Sequence, residues 1–373
     1  MTVIRTTACL GALAMAAAAA ALADDAPAAP AADASSFASS GYLDASHTNL
    51  SGEGFFSSGA ANRVFDTKKS GFTLQQAAIN VGYQPKAGFG GFFNLIAGND
   101  ADLIAPYNFY GKSHKFDVTQ AYVQYATSSV TVIAGKFVTL AGAEVIASPS
   151  NPNFSRSILF GFAIPFTHTG VRATYAASDT VNLILGANQG WDDVKDTNTS
   201  KTAEVGATYA PAKTLSFAAS GYFGKERIGY MTNVGPQGQR SLVDVVATWN
   251  ATDALTVILN VDWGKQSDVT DGVYTPFAAK WRGVAGYLNY TISDKWKASL
   301  RAEYLNDSDG YRTGVAQKWK EVTVTVAFLP TKWLEVRGEV RADNSDSASF
   351  VKNAAGEVMS SQNSVSVQAL LKF

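Results

Sequence analysis

The sequence predicts an all-β fold: a transmembrane antiparallel β-barrel of about 16 strands, with 14 or 18 as the neighbouring possibilities. From about residue 72 to residue 373 the chain repeats one unit, in which two stretches of alternating apolar and polar residues flank a very short turn. A longer loop rich in Gly, Asn and Asp separates each unit from the next. After the first residues, no apolar stretch is long enough for a spanning helix, so any spanning structure must be made of strands.

The beginning of the chain is typical of a cleaved signal peptide covering residues 1–23. Arg5 supplies a positive charge, residues 8–20 form an apolar run broken by one glycine, and Ala21-Leu22-Ala23 fits a cleavage site. The alternative is an Ala-rich membrane anchor, for which the run is short and weakly hydrophobic.

The segment after the predicted cleavage site, residues 24–36, is rich in Ala, Pro, Asp and Ser and is expected to be a disordered lead-in. The barrel domain is then predicted to occupy residues 37–373. The single cysteine, Cys9, lies in the signal segment, so the mature chain would form no disulfide and no thiolate metal site.

Each predicted strand rests on alternating polarity bounded by turn residues such as Pro, Ser, Asp and Gly. An even number of strands allows the first and last to pair antiparallel and close the sheet. The predicted strands cover residues 37–50, 72–83, 91–98, 116–125, 130–140, 170–176, 181–191, 202–209, 215–225, 242–249, 255–265, 281–291, 296–305, 321–328, 334–342 and 363–373.

Charged residues show which face of these strands must be wet. In residues 334–341 one face is Leu, Val and Gly while the other is entirely charged. An Arg or Lys on the lipid face near the bilayer centre would cost about 2–4 kcal/mol. The alternative is the solvated face of a soluble β-sandwich. The predicted lumen residues are Glu204, Arg301, Glu303, Glu335, Arg337, Glu339 and Arg341.

Aromatic residues cluster beside the short turns and indicate that these turns lie at a membrane surface. Trp and Tyr favour the membrane–water interface, where an apolar ring and a polar tip are both satisfied. The short turns are therefore predicted to lie at the periplasmic rim. The aromatic residues beside them are Tyr83, Tyr125, Tyr175, Tyr209, Trp249, Phe328, Trp296 and Trp333.

The last predicted strand places alternate apolar residues on one face and ends at Phe373. It resembles the terminal signature that Gram-negative outer-membrane barrels present to their assembly machinery, with Leu371 and Phe373 in the matching positions. That resemblance implies the barrel assembly machinery as a partner.

Four central stretches resemble the OmpL-like β-barrel porin family of Gram-negative bacteria. They are FDVTQAYV (116–123), AGKF (134–137), NPNFSRS (151–157) and HTGVR (168–172). The resemblance implies an outer-membrane channel for small hydrophilic solutes, surrounded by outer-membrane lipid and lipopolysaccharide, with a homotrimer as a possible assembly. It implies no catalytic residue and leaves the solute undefined.

The third external loop, predicted as residues 141–169, is unusually apolar for an exposed segment. Packing against the inner wall would explain this, and Glu144, Arg156 and His168 could then project into the pore opposite Arg301 and Glu303. The alternative is a lid or a subunit contact. Mixed charges at such a constriction predict weak ion selectivity. The apolar residues are Phe154, Ile158, Leu159, Phe160, Phe162, Ile164 and Phe166.

Other classes of function have little support. The net charge of −1 argues against a nucleic-acid partner. No catalytic, cofactor or metal motif accompanies His47, His114 and His168, and residues 307–310 lack the complete calcium-loop spacing. A substrate-specific channel would show a run of aromatic or basic residues, and an adhesive barrel would have longer loops; both remain alternatives to a general channel.

Overall fold

The computed structural model describes residues 37–52, 63–66, 70–105, 115–196, 198–227, 237–269, 277–353 and 355–373. The predicted signal peptide, the predicted lead-in and His114 lie outside these ranges and stay predictions. None of the helices in the described ranges is both long and apolar enough to cross a membrane.

Sixteen strands form one closed antiparallel barrel, as predicted. Fifteen of them follow in chain order, and the sixteenth, β18, pairs with both β15 and β1. The barrel strands are β1 Ala38–Leu50, β2 Ser70–Tyr83, β3 Gly88–Ala97, β4 Phe116–Ala126, β5 Val130–Val138, β6 Thr167–Ala176, β7 Val181–Asn188, β8 Thr202–Ala212, β9 Leu215–Arg227, β10 Gln237–Asn250, β11 Leu255–Val269, β12 Phe277–Ser293, β13 Trp296–Asp307, β14 Gln317–Thr331, β15 Leu334–Ser345 and β18 Ser361–Lys372.

Two small elements lie between barrel strands and were not predicted. Helix α1, Asn99–Ile104, follows β3, and a two-stranded hairpin of β16 (Phe350–Val351) and β17 (Val358–Met359) lies between β15 and β18. Neither has enough residues for a polarity period to be recognised in the sequence.

The strands of the second half of the barrel extend further at the long-loop end than predicted. β12 begins at Phe277 rather than residue 281, and β14 begins at Gln317 rather than residue 321. These extensions carry exposed lysines on the outer face, which interrupt the apolar alternation used to place the strand ends. Backbone pairing therefore continues beyond the apolar part of the outer wall.

The burial pattern separates the two faces of the wall. Along β15 the charged residues Glu335, Arg337, Glu339 and Arg341 are buried while Val340 is exposed on the outer face. Glu204, Arg301 and Glu303 are buried in the same way on β8 and β13. All seven predicted lumen residues thus face the barrel interior in the structure.

The aromatic residues beside the short turns point outward. Tyr125, Tyr175, Tyr209, Trp249, Trp296 and Trp333 are all exposed large side chains. Several pair with a neighbour, as Trp296 does with Phe328 at 4.7 Å between ring centroids. Such a ring of paired aromatics at one rim is the arrangement expected at a membrane–water interface.

The seam between β1 and β18 closes the barrel. Gly41 and Phe373 exchange two backbone hydrogen bonds of 2.8 and 2.9 Å. A Cβ atom on Gly41 would lie 2.6 Å from Cε2 of the Phe373 ring, so glycine makes room for that ring. Leu371 pairs with Leu43 on one side and Leu334 on the other.

Candidate functional site

The loop between β5 and β6, residues 139–166, folds into the barrel and is called the inward loop below. It is closed at its base, where the Thr139 amide donates to the Phe166 carbonyl at 3.0 Å. A five-residue π-helical segment of the loop, Leu159–Ala163, packs against β11 and β12. The apolar side chains of the inward loop lie in the interior cluster of the barrel: Ile158, Leu159, Phe160 and Ile164 are buried, and Phe162 and Phe166 pack against them.

Two carboxylates of the wall hold the backbone of the inward loop. Glu339 on β15 accepts hydrogen bonds from the amides of Phe154 (2.7 Å) and Ser155 (3.0 Å). Glu303 on β13 accepts from the amides of Ile158 (2.8 Å) and Leu159 (3.2 Å). Hydrogen bonds to a charged acceptor are stronger than neutral ones, so these two side chains fix the central part of the loop against the wall.

Arg301 on β13 joins the wall to the inward loop through its whole guanidinium group. Nη1 donates to Glu144 Oε1 at 2.8 Å and to the Ser155 carbonyl at 2.7 Å. Nε donates to Glu321 Oε2 at 3.1 Å, and Nη2 donates to Ser155 Oγ at 3.0 Å. The Arg301 side chain is completely buried. A buried guanidinium is tolerated only when its charge and its donors are paired, as they are here.

The two arginines of β15 are paired with carboxylates of the same strand. Arg341 Nη2 lies 2.7 Å from Asp343 Oδ1, and its Nη1 donates to the Arg156 carbonyl at 2.7 Å. Arg337 Nε lies 2.6 Å from Glu335 Oε1. The field of each charge is therefore largely cancelled by a partner within hydrogen-bonding distance.

The three residues predicted to project into the pore from the third loop make contacts with the loop and the wall in the structure. Glu144 accepts from the Ser157 amide at 2.7 Å. Arg156 donates to carbonyls of its own loop, including Ile146 at 2.8 Å. His168 lies on β6 because that strand begins at Thr167; its ring stacks on Tyr222 with centroids 4.6 Å apart.

Several residues of the site were not singled out in the sequence. The carboxylates Glu321 and Asp343 follow the inward alternation of β14 and β15. Glu321 begins the predicted strand 321–328, and the predicted strand 334–342 stops one residue before Asp343. Neutral anchors carry no such signal. On β9, Tyr222 Oη accepts from the Leu140 amide at 2.9 Å, and on β2, Gln76 Nε2 donates to the Ile146 carbonyl at 2.9 Å.

A second segment, residues 63–66 from the loop after β1, also enters the interior. Arg63 Nη2 donates to Asp343 Oδ2 at 2.7 Å. The Phe65 ring lies 5.6 Å from the rings of both Phe160 and Phe166. The inward loop is therefore packed against another loop as well as against the wall.

Aromatic and arginine side chains form an interior cluster, although the sequence shows no continuous run of such residues. The Arg240 guanidinium lies 4.9 Å from the Trp191 ring centroid, and that of Arg312 lies 5.3 Å from Trp281. Tyr311 stacks on Trp281 with centroids 5.9 Å apart. These five residues come from β10, β12 and two loops, so only the folded chain brings them together.

The remaining candidate for a ligand-binding loop has a local structural role. Asp307 accepts hydrogen bonds from the backbone amides of Tyr311, Arg312 and Thr313, which fixes the turn after β13. The described part of the chain contains no group of three or more His, Cys, Asp or Glu side chains arranged to hold a metal ion.

Asp100 on α1 gives the site a predicted pH dependence. Burial raises the pKa of Asp100 to about 7, against the opposing effect of Arg156. The folded state thus retains a proton that the unfolded state releases near pH 4, so its stability falls as pH rises between these values. We expect Asp100→Asn to increase the free energy of unfolding by up to about 4 kcal/mol at about pH 8, and so to raise the unfolding temperature there. At about pH 4 the substitution should leave the unfolding temperature unchanged.

The measurement is the temperature at which the folded barrel converts to its unfolded electrophoretic form. Asn can still accept the hydrogen bond that Gln76 Nε2 donates to Asp100 Oδ2 at 2.8 Å. The control is Asp102→Asn on the same helix, where the carboxylate is partly exposed and paired with Lys115. An equal gain for Asp100→Asn at both pH values would contradict the prediction.

A closed sixteen-stranded antiparallel barrel with an inward-facing charged wall and a loop folded into its lumen defines an outer-membrane porin. The chain belongs to the family described as "Putative beta-barrel porin-2, OmpL-like", which matches residues 36–373. The resemblance inferred from the central motifs is thereby confirmed. No curated protein sequence matches the chain.

Solved structures with the same fold include three outer-membrane proteins at low sequence identity. The channel DcaP of Acinetobacter baumannii is 14% identical, with 90% of this chain and 97% of that chain covered and a TM-score of 0.62. OmpT of Vibrio cholerae, in its in-vitro folded trimer form, is 14% identical over 91% and 99% of the two chains, with a TM-score of 0.59. An anion-selective porin from Comamonas acidovorans is 12% identical over 91% and 99%, with a TM-score of 0.57.

Proposed function

We propose that the protein forms a water-filled channel for passive diffusion of small hydrophilic solutes and ions across the outer membrane, and that the inward loop sets its narrowest part. The observation that carries this proposal is the attachment of the loop to four strands spread around the lumen. Gln76 on β2 and Tyr222 on β9 bind it at strands that lie nearly opposite each other in the barrel. Glu303 on β13 and Glu339 on β15 bind its backbone between them. Small shifts of a loop held in this way would change the open area of the channel.

Weak ion selectivity is part of the proposal. The wall arginines are paired with carboxylates: Arg301 with Glu144 and Arg337 with Glu335, for example. Rings of unpaired charge of one sign are what give pores a strong preference. Paired charges of both signs leave little net field along the channel.

Planar-bilayer recordings of the purified protein test both parts of the proposal. We expect stepwise conductance and a reversal potential close to zero in a potassium chloride gradient. A correctly folded barrel without conductance steps would refute the channel. A reversal potential close to the ideal value for either ion would refute weak selectivity and leave the channel itself intact.

A substrate-specific channel is a second candidate, supported by the interior cluster of Trp191, Trp281, Tyr311, Arg240 and Arg312. Aromatic faces with adjacent guanidinium groups suit planar or anionic solutes. Conductance that a particular solute blocks in a saturable manner would favour this candidate over general diffusion. We propose no catalytic activity for the protein.

The two ends of the chain are proposed to direct its export and its assembly. We propose that residues 1–23 are removed during export and that residues 24–36 lead into the barrel in the periplasm. Leu371 and Phe373 are proposed as the signal for the barrel assembly machinery. A homotrimer is consistent with the trimer form of Vibrio cholerae OmpT.

A further inference from the structure

A group of basic side chains projects from the outer wall of the barrel at the long-loop end. These five residues, named the outer basic cluster, are Lys265 on β11, Lys280 and Arg282 on β12, and Lys318 and Lys320 on β14. All five are exposed, while their neighbours along each strand face the interior.

Strand register brings the members of the outer basic cluster together. Lys265 lies directly opposite Lys280, and Arg282 lies opposite Asn306. Asn306 in turn lies opposite Lys318. Like charges directly opposite each other on adjacent strands destabilise a sheet. The arrangement therefore concentrates positive charge that a bound anion would offset.

The nearby carboxylates are bonded to backbone amides rather than paired with the side chains of the cluster. Asp309 Oδ2 accepts from the backbone amide of Lys280 at 2.8 Å, and Asp346 Oδ1 accepts from that of Lys318 at 2.7 Å. Both carboxylates bind backbone and secure the adjoining loops. Across the described ranges, no ion pair involves the side chain of any cluster member.

A groove of about 540 Å³ lies beside three members of the cluster. Lys265, Lys280 and Arg282 line it together with Trp263, Asn306 and the carboxylate-bearing Asp309. Trp263 is half exposed and lies beside Arg282 across the strand pair. An amphipathic ring next to basic side chains is typical of the boundary between lipid tails and headgroups.

The outer wall becomes apolar immediately on the short-turn side of the cluster. Val284 follows Arg282 on the outer face of β12, and Val322 follows Lys320 on that of β14. Further along, Leu259 and Val324 continue the exposed apolar band. Successive outward residues on a strand are about 7 Å apart, so the basic groups lie within one such step of the apolar wall.

We infer that the outer basic cluster binds the phosphate groups of a phosphorylated glycolipid in the outer leaflet. The cations are placed to meet a phosphorylated headgroup while the apolar band below them contacts its acyl chains. Basic groups near a membrane surface attract anionic headgroups by about 1 kcal/mol each. The inference rests on the outer-membrane placement in the proposed function, but it does not depend on conduction.

The test is the affinity of the purified, folded full barrel in detergent for bisphosphorylated lipid A. The variant Lys265→Gln, Lys280→Gln, Arg282→Gln removes the three charges that line the groove. We expect it to bind about tenfold or more weakly than the unaltered protein. The matched control is Lys213→Gln, Lys295→Gln, Lys332→Gln, which removes three exposed lysines from the short turns and should bind as the unaltered protein does.

Two further measurements distinguish binding of the phosphorylated headgroup from binding of other anions and from contacts with the acyl chains. Dephosphorylated lipid A should bind more weakly than the phosphorylated form, and inorganic phosphate should not compete at comparable concentrations. Unchanged affinity of the groove variant, an equal loss in the control, or equal binding of dephosphorylated lipid A would each overturn the inference. Competition by inorganic phosphate at lipid concentrations would overturn the assignment to a lipid.

Two safeguards keep the result decisive. If the triple variant does not fold, Lys318→Gln with Lys320→Gln removes two charges outside the groove and should weaken binding by a smaller factor; unchanged binding by this pair would then overturn the inference. Bilayer conductance is recorded on the same preparations and should be unchanged by either set of substitutions. If the unaltered protein showed no conductance, the proposed channel would be refuted. The lipid inference would still be tested, because it is measured by lipid affinity.

Discussion

Excision of the inward loop is expected to raise single-channel conductance by about twofold or more, because the lumen of a sixteen-stranded barrel is wide enough for an aqueous channel once nothing fills it. The change replaces residues 141–164 with a flexible linker of about four residues. Val138 and Thr167 are directly paired on adjacent strands, so a short linker can join the ends without altering the sheet. The measurement is conductance in a planar bilayer.

The barrel should still form because the ladders between its strands do not use the excised residues. A folded-form shift in electrophoretic mobility checks this before conductance is recorded. The control places the same linker in the short turn at residues 127–129, at the opposite rim, where no effect on conductance is expected. Equal conductance with and without the inward loop would show that the constriction lies elsewhere.

Arg301→Met is expected to have the second-largest effect, a loss of about 3–5 kcal/mol of stability together with larger or fluctuating conductance. The substitution leaves Glu144, Glu303 and Glu321 without their shared guanidinium partner in a buried site. Repulsion among these carboxylates and the lost bonds to Ser155 should release the loop from β13. The measurements are the unfolding temperature and bilayer conductance.

Arg301→Lys separates charge from geometry, since lysine keeps the charge but cannot donate to several partners in one plane. We expect an intermediate effect for it. Lys332→Met, at an exposed position in a short turn, is the control for loss of a positive charge. A stable, quiet channel in Arg301→Met would show that other contacts alone hold the loop.

The sequence was sufficient to predict the barrel because alternation is enforced along each spanning strand by lipid on one side and water on the other. For this reason the inward-facing residues of β15, from Glu335 to Arg341, could be predicted from the sequence alone. Strand ends were less accurate where this constraint lapses, as at Lys318 and Lys320 on β14. There, backbone pairing continues although the outer face is no longer apolar.

The candidate site was only partly predictable, for a different physical reason. The apolar composition of the inward loop indicated that it should not be exposed, and Arg301 and Glu303 were selected by their charge. Gln76 and Tyr222 anchor the same loop through neutral groups, which no local pattern distinguishes from ordinary lumen residues. Their role depends on where a loop from another part of the chain comes to lie.

The seam between β1 and β18 has a consequence for how the protein folds. It joins residues as distant in the chain as Thr48 and Ser366, 318 positions apart. Contacts of such long sequence separation form late and slowly. Until β18 inserts, β1 and β15 each present an unpaired edge, and unpaired edges promote aggregation. Insertion of β18 therefore pairs both edges in one step. Before that step the chain most needs protection from aggregation with other chains.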